Sequence, residues 1–351
     1  MRFETETALA LEAAFDGGRL TSDGGLLWLA KADSELGLCE ALSELVPEWR
    51  KRKGQHSLSS LVRQRIFQIA CGYEDQNDSN FLREDPLLKV VCGSMPESGA
   101  DLASQPTFSR LENAVDIRCC YRISQALFEL YLKARSRDGV PEKVLLDFDS
   151  TDDPTHGEQE GSYYHGYYRQ HMYHPLVVFD GESGHLICAL LRAGNTHASN
   201  SAVALLKRIV CGLRERWPQV AIEIRADAGF AVPAVYDYCE EEGITYTVGL
   251  ITNPRLKEIA KDLLAEAKES HEETQGEKVR LFCEGLYGAG SWERERRVVY
   301  KAEAMEKGTN TRFVVSTRTD EPKELYEWYA ERGESENWIK GFKLHLKADR
   351  V

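Results

Sequence analysis

Lys143-Val144-Leu145-Leu146-Asp147-Phe148-Asp149-Ser150 is the stretch whose reading decides the fold. It is a short apolar strand that ends in acids. Side chains alternate across a strand, so Asp147 and Asp149 share one face. Downstream of it the chain keeps changing period. Strands are expected over 173–179 and 185–191, joined by the turn Asp180-Gly181-Glu182-Ser183-Gly184. A helix over 199–216 follows, and then a strand over 220–225 that runs straight into Asp227-Ala228-Gly229-Phe230. A short helix over 233–241 and a strand over 245–250 complete an order β-β-β-α-β-α-β, a mixed α/β layer arrangement.

Working outward, residues 1–142 read as mainly helical and 143–254 as the mixed α/β part. Thr21-Ser22-Asp23 offers caps before the apolar run Leu26-Leu27-Trp28-Leu29, and further helices are expected over 58–71 and 117–134. Ser104-Gln105-Pro106-Thr107 reads as a loop with a helix start after it. Residues 255–321 form a polar, β-rich insertion with strand-like pieces at 279–283, 296–300 and 312–316. The last part, 322–351, is a closing helical stretch that Gly333 and Gly341 make imperfect, with a break expected near Gly333.

That closing stretch carries Tyr329, Arg332, Glu336 and Lys343, spaced Y-x2-R-x3-E-x6-K. At about 100° per residue on an α-helix, the four side chains leave within a wedge of roughly 60°. A carboxylate flanked by an aromatic hydroxyl, a guanidinium and an ammonium suits a metal ion beside a phosphate, although a solvated helix edge has the same composition. Partner acids decide between these readings. Asp149 ends the first strand and Asp227 follows the fourth, and in α/β sheets the carboxyl ends of strands open onto the binding crevice. Three carboxylates from separate elements can hold two divalent cations for an in-line phosphoryl displacement, and Mg²⁺ prefers such hard oxygen ligands. Asp147 is the rival first ligand; Asp149 is preferred because Thr151 follows it in an Asp-x-Thr pattern.

Composition narrows the classes. With 42% hydrophobic and 29% charged residues the chain is a soluble globular protein with an ample core. It shows no apolar run long enough to span a membrane, and its first residues do not read as a signal peptide. Nine cysteines without CxxC pairs fit a reducing cytoplasm rather than a disulfide framework or zinc ribbon. The formal net charge of -13 opposes a nucleic-acid partner globally, yet exposed charges are screened beyond about 8 Å. Local patches therefore decide, and Arg50, Lys51, Arg52 and Lys53 form a basic cluster suited to DNA-end contacts. No GxxxxGK[ST] loop is present, so ATP use is not expected. His156, His165, His171 and His174 lie close together in a Tyr- and Gly-rich tract, without a cysteine among them.

The motifs in combination resemble a DDE transposase of a bacterial insertion sequence, of the group whose third acid lies in the Y-x2-R-x3-E-x6-K signature. The nearest resemblance is to the insertion-sequence family numbered thirteen-eighty. It is carried by Leu20-Thr21-Ser22-Asp23-Gly24-Gly25, Arg65-Ile66-Phe67, Gly72-Tyr73-Glu74-Asp75, Asp149-Ser150-Thr151-Asp152-Asp153, Gly194-Asn195-Thr196-His197-Ala198-Ser199 and Asp227-Ala228-Gly229-Phe230. Ser291-Trp292 and Arg296-Arg297-Val298-Val299 complete the set.

The resemblance implies a ribonuclease-H-like catalytic core with a β-rich insertion before the last catalytic helix. It implies that Asp149, Asp227 and Glu336 bind two Mg²⁺ ions, with Mn²⁺ able to replace them, and that Tyr329, Arg332 and Lys343 hold DNA phosphates. Trp292 is the candidate for stacking on a base. The implied partners are double-stranded DNA, as element terminal inverted repeats and as target, and a second copy of the chain, in the cytoplasm at the nucleoid. Relatives continue beyond the point equivalent to Val351, so a C-terminally truncated copy is expected. The alternative function is an inactive DNA-binding fragment that represses transposition.

Overall fold

The run at 144–149 is buried throughout because strands flank it on both sides and its two faces have different tasks. A computed structural model describes residues 18–52 and 54–349. Of the preceding segment it describes two short antiparallel strands, β1 (Arg2–Phe3) and β2 (Leu11–Glu12). Contacts divide the chain into two compact units. One holds the described residues up to Ala126 with His345–Lys347, and the other holds Leu127–Leu344.

The first unit is helical. Helix α1 (Leu26–Leu36) is capped at Gly25 without a side-chain bond, not by the expected Thr21-Ser22-Asp23; Asp23 contributes only its carbonyl, which accepts from the Leu26 amide at 3.0 Å. It ends at Gly37, whose φ of 80° is left-handed and open to glycine at no steric cost. Helices α2 (Leu38–Ser43), α3 (Leu58–Ala70), α4 (Ser79–Leu82) and α5 (Pro86–Val91) follow. Ser57 caps α3 by accepting from the Ser60 amide at 3.1 Å. Helix α6 (Gln105–Asn113) starts inside the tetrapeptide expected to be a loop. Ser104 is its cap residue and Pro106 lies in the first turn, where a missing N–H costs nothing. Leu26, Cys39, Phe67 and Leu88 pack as one apolar cluster, and Leu61, Phe108 and Leu111 as part of another. Helix α7 (Ile117–Arg135) contains the boundary between the units.

The second unit is built on an eight-stranded mixed sheet. Strand β3 (Lys143–Ser150) lies inside it, antiparallel to β7 (Leu176–Asp180), which pairs antiparallel with the edge strand β8 (Leu186–Leu190). Between β3 and β7 the chain makes a separate three-stranded sheet of β4 (Asp153–Pro154), β5 (Tyr163–His165) and β6 (Gln170–Tyr173). The single strand expected over 173–179 is therefore two. Pro175 has no amide to donate to a ladder, and the chain changes sheets there. On its other side β3 runs parallel to β9 (Ala221–Ala226), which follows helix α8 (Ala202–Arg216). Helix α9 (Pro233–Glu241) leads to β10 (Thr245–Leu250), parallel to β9. Val144, Leu146, Phe148, Ile222, Ile224, Tyr246 and Val248 point to one face, into the core completed by Leu205, Ile209, Leu213 and Tyr236 from the helices.

The insertion differs from the expectation of a β-rich piece. It opens with helices α10 (Pro254–Ile259) and α11 (Lys261–Glu273). Leu263, Leu264 and Ala267 recur at helical spacing, and Ala267 is buried against Ala302 and Ala304, whose small side chains allow close approach. Its strands β11 (Val279–Tyr287), β12 (Arg296–Met305) and β13 (Gly308–Ser316) are antiparallel, and β13 pairs with β10, so they extend the main sheet. The closing stretch is two helices, α12 (Pro322–Ala330) and α13 (Gly333–Gly341), with a π-turn over Phe342–Leu346.

Candidate active site

Parallel pairing sets the site. Phe148 of β3 is the register partner of Ala226 of β9, and one residue further each strand ends in an acid, Asp149 and Asp227. The apolar partners turn into the core, so both carboxylates are left at the same edge of the sheet. Asp149 is 6% exposed, and burial pushes its carboxyl above the usual carboxylate range against the pull of Arg332; the charge of Asp227 adds to the rise. Its Oδ1 accepts from the Ser150 amide at 2.9 Å, and its Oδ2 from Ser335 Oγ at 2.9 Å and Arg332 Nη1 at 3.0 Å. Asp227 caps the 3₁₀ turn Ala228–Phe230, its Oδ1 accepting from the Gly229 amide at 2.8 Å.

The closing helices bring the other side chains. The chain does not continue one helix through the signature, as the wedge argument required. The amides of Arg332, Glu334 and Ser335 donate three residues back, to Tyr329, Glu331 and Arg332, so the link is wound at the tighter 3₁₀ pitch. The tighter turn still aims Tyr329 and Arg332 at the acids. Tyr329 Oη donates to the Ala226 carbonyl at 3.2 Å, and burial raises its pKa. It fits because residue 249 is glycine; a Cβ there would stand 2.7 Å from the hydroxyl. Arg332 bridges two acids, since its Nη2 reaches Glu336 Oε1 at 3.1 Å while its Nη1 holds Asp149. The Glu336 side chain is 67% exposed.

Arg332 is therefore shared by Asp149 and Glu336, and the charge of Asp227 reaches both it and Asp149, so acids outnumber the basic group around a buried carboxyl. That excess, with an all-oxygen donor set, fits divalent cations in charge and in chemistry. Among the described residues no three His, Cys, Asp or Glu side chains are gathered closely enough to hold an ion as they stand. Arg332 is the group that now bridges Asp149 and Glu336. A cavity of about 700 Å³ opens over the site, with Asp227, Tyr329 and Arg332 on its floor and His165, Tyr168 and His174 in its wall.

Other expected residues are placed differently. Asp147 is fully buried, with both oxygens taken by Arg225 at 2.7 Å, so it does not face the cavity as a rival ligand. Lys343 Nζ binds Asp152, at 2.7 Å to its carbonyl and 2.7 Å to its Oδ1, and does not reach the acids. Trp292 packs edge-on to Tyr236 and Tyr287 beneath Arg296, against the core and outside the cavity lining. Arg50 is held by Glu48 and by the His56 carbonyl, at 2.6 Å in each case. Lys51 and Arg52 are exposed, while Lys53 lies outside the described residues. His165 and His174 meet edge to face with ring centroids 4.9 Å apart among the cavity's lining residues, and His171 contacts Tyr164.

Sequence reasoning missed Ser335 and Arg225. Ser335 is fully buried on Asp149, and nothing in its sequence neighbourhood marks it. Arg225 did carry a signal, a charge closing the apolar strand Ile222-Glu223-Ile224-Arg225-Ala226, which requires a buried partner.

Comparison with known proteins adds the following. Residues 3–351 match the family described as Transposase DDE domain group 1. Among solved structures, the chain is similar to a piggyBac transposase synaptic complex with hairpin DNA, at 12% identity and a TM-score of 0.47, covering 91% of this chain and 68% of that one. It is also similar to a Mos1 transposase paired-end complex with left transposon end, at 14% identity and a TM-score of 0.21, covering 74% of this chain and 76% of that one. No curated protein matches.

Proposed function

This chain belongs to the Transposase DDE domain group 1 family, and from that premise we propose that it cuts the ends of an insertion sequence and joins them to target DNA. Asp149, Asp227 and Glu336 are the groups that would hold two divalent cations, on what we read as a ribonuclease-H-like core. The observation that carries the reading is the arrangement at the edge of β3 and β9, where buried Asp149 shares one guanidinium with Glu336 and Asp227 lies close enough to raise its pKa. Bound there, Mg²⁺ or Mn²⁺ would supply activation of a water or hydroxyl and stabilisation of the leaving oxygen.

The chain's own residues supply orientation and charge. Asp149 cannot rotate freely, because Ser150 and Ser335 hold one oxygen each. Arg332, on leaving its acids, and Tyr329, on leaving the Ala226 carbonyl, would be donors for a phosphate in the cavity they line, and the guanidinium fork matches two phosphate oxygens. Lys343 would join them on leaving Asp152. In the first step a water oxygen bonds to phosphorus as the element's 3′ oxygen leaves and takes a proton. In the second, that 3′ oxygen bonds to a target phosphorus and the target's own 3′ oxygen leaves. Exposed Lys51 and Arg52 are candidates for contacts to the end DNA, and a homodimer would bring two ends together.

The test replaces Asp149, Asp227 and Glu336 singly with Ala and follows Mg²⁺-dependent cleavage of end DNA. Loss in each variant, with DNA binding retained, is the expected result. Cleavage that survives all three substitutions overturns the assignment, and binding without cleavage by the unaltered chain favours the repressor reading.

A further inference from the structure

Two residues before Asp149, on the same strand face, lies a charge pair of a different kind. Asp147 is 0% and Arg225 1% exposed, and the β3/β9 register sets them directly side by side. Arg225 Nε and Nη2 each donate to one Asp147 oxygen at 2.7 Å, the two-pronged geometry that guanidinium and carboxylate share. The pair satisfies Asp147 completely, yet the guanidinium has a third task. Its Nη1 donates to the Trp328 carbonyl at 2.7 Å.

That carbonyl lies in the last turn of α12, which ends at Ala330; it also accepts from the Glu331 amide at 3.2 Å, three residues on, and the guanidinium takes its second lone pair. Arg225 therefore caps the C-terminal end of α12 from inside the sheet. It also lies over the Trp328 indole, 5.0 Å from the ring centroid, and Arg318 lies 4.2 Å from the same ring. Arg318 is itself held by Glu223 at 3.0 Å and by Asp320 at 2.7 Å. Glu223, Arg225 and Asp227 alternate along β9, so one strand face grips the end of α12 at two points and ends in the acid. Tyr329, next after Trp328, bonds to the carbonyl of Ala226, next after Arg225. Arg332 follows at the start of α13 and reaches Asp149.

We propose that Arg225 is a positioning residue, oriented by Asp147, which fixes where α12 ends and so sets Tyr329 and Arg332 against Asp149 and Asp227. The acid two residues before the candidate ligand thus serves to orient a donor rather than to bind an ion. The expected effect on rate rests on the phosphoryl-transfer reading, whereas the effect on the helix does not.

The experiment replaces the pair together, Asp147→Val with Arg225→Met, so that no lone buried charge remains. Trp328→Leu and Trp328→Phe accompany it. Amide hydrogen exchange is followed in DNA-free protein, and Mg²⁺-dependent nicking of end DNA is followed under single-turnover conditions. In the double variant the amides of 322–341 exchange at least about tenfold faster while those of β3 and β9 keep their protection. Nicking slows by about 30-fold or more, the scale of a misplacement of about an ångström. Trp328→Leu follows the double variant in both measurements, and Trp328→Phe, which keeps a ring under the guanidinium, stays within a factor of about three of the unaltered protein. Unchanged exchange over 322–341 overturns the proposal, as does faster exchange with unchanged nicking. Should the double variant not fold, Trp328→Leu decides by the same readings. Should the unaltered chain not nick, the phosphoryl-transfer reading fails, and exchange alone decides the positioning role.

Discussion

Asp147 and Asp149 share a strand and a face, and both are buried, but their surroundings are opposites. At Asp147 a buried carboxylate meets a buried guanidinium with every Asp147 oxygen occupied, and the exposed Glu331 stands 3.7 Å from the guanidinium's remaining nitrogen. At Asp149 the guanidinium is divided between a buried acid and an exposed one, and a third acid lies close enough to raise the first acid's pKa. An acid whose two oxygens are both bonded to one guanidinium has none left for a ligand. An acid that shares its guanidinium with a second carboxylate, beside a third, is less fully satisfied. The difference distinguishes two acids two residues apart, where composition and burial alone do not.

The largest effect that would test this contrast is on catalysis. Asp149→Asn keeps size but removes the charge and turns one acceptor into a donor, and should slow Mg²⁺-dependent end cleavage by at least about a hundredfold in single-turnover assays. The same change should leave thermal stability equal or higher, because a buried acid with a raised pKa is costly when ionised. Asp147→Asn should do the reverse at the level of folding. It leaves Arg225 buried without its counter-charge and should cost about 3–5 kcal/mol in urea unfolding. If the two Asn variants lose stability equally, the contrast between the sites fails.

Acidity gives a finer probe. The neighbouring Asp153 is 5% exposed, and burial pushes its carboxyl up to about 6. A carboxyl with a raised folded pKa stabilises the fold when protonated. Its contribution is fully present below about pH 4, the range of an unfolded Asp, and is lost as pH rises through about 6. Asp149 shares this sign. Unfolding of the metal-free protein should therefore show stability falling from pH 4 to 7, and Asp153→Asn should flatten that slope. Added Mg²⁺ should raise the melting temperature more at pH 8 than at low pH, where protons compete for the same oxygens. The smallest effect belongs to Glu336→Gln. That side chain is mostly exposed, so its loss should change stability by no more than about 0.5 kcal/mol, even while cleavage falls.

Much of this was legible beforehand. The alternation at 144–149 and the acid after 220–226 announced two strands ending in carboxylates, and the signature around Tyr329 named the segment that closes over them. The insertion was read less well, because α11 is mostly charged and only Leu263, Leu264 and Ala267 mark its buried side. Trp292, expected to be available to a base, is used in packing; an aromatic residue in sequence does not reveal which rings await it.

What the sequence determined by itself is what depends on neighbours along the chain: strand period, helix propensity, the break at Gly333, and the identity of the acids. Only the tertiary structure decided which of two acids on one face is spent. That depends on β9 running parallel to β3 in a register that sets Arg225 beside Asp147 and leaves Asp227 beyond it. The carbonyl that occupies the third nitrogen of Arg225 lies 103 residues further on. Charge compensation in a low-dielectric interior is a matter of a few ångströms in space, which no spacing along the chain encodes.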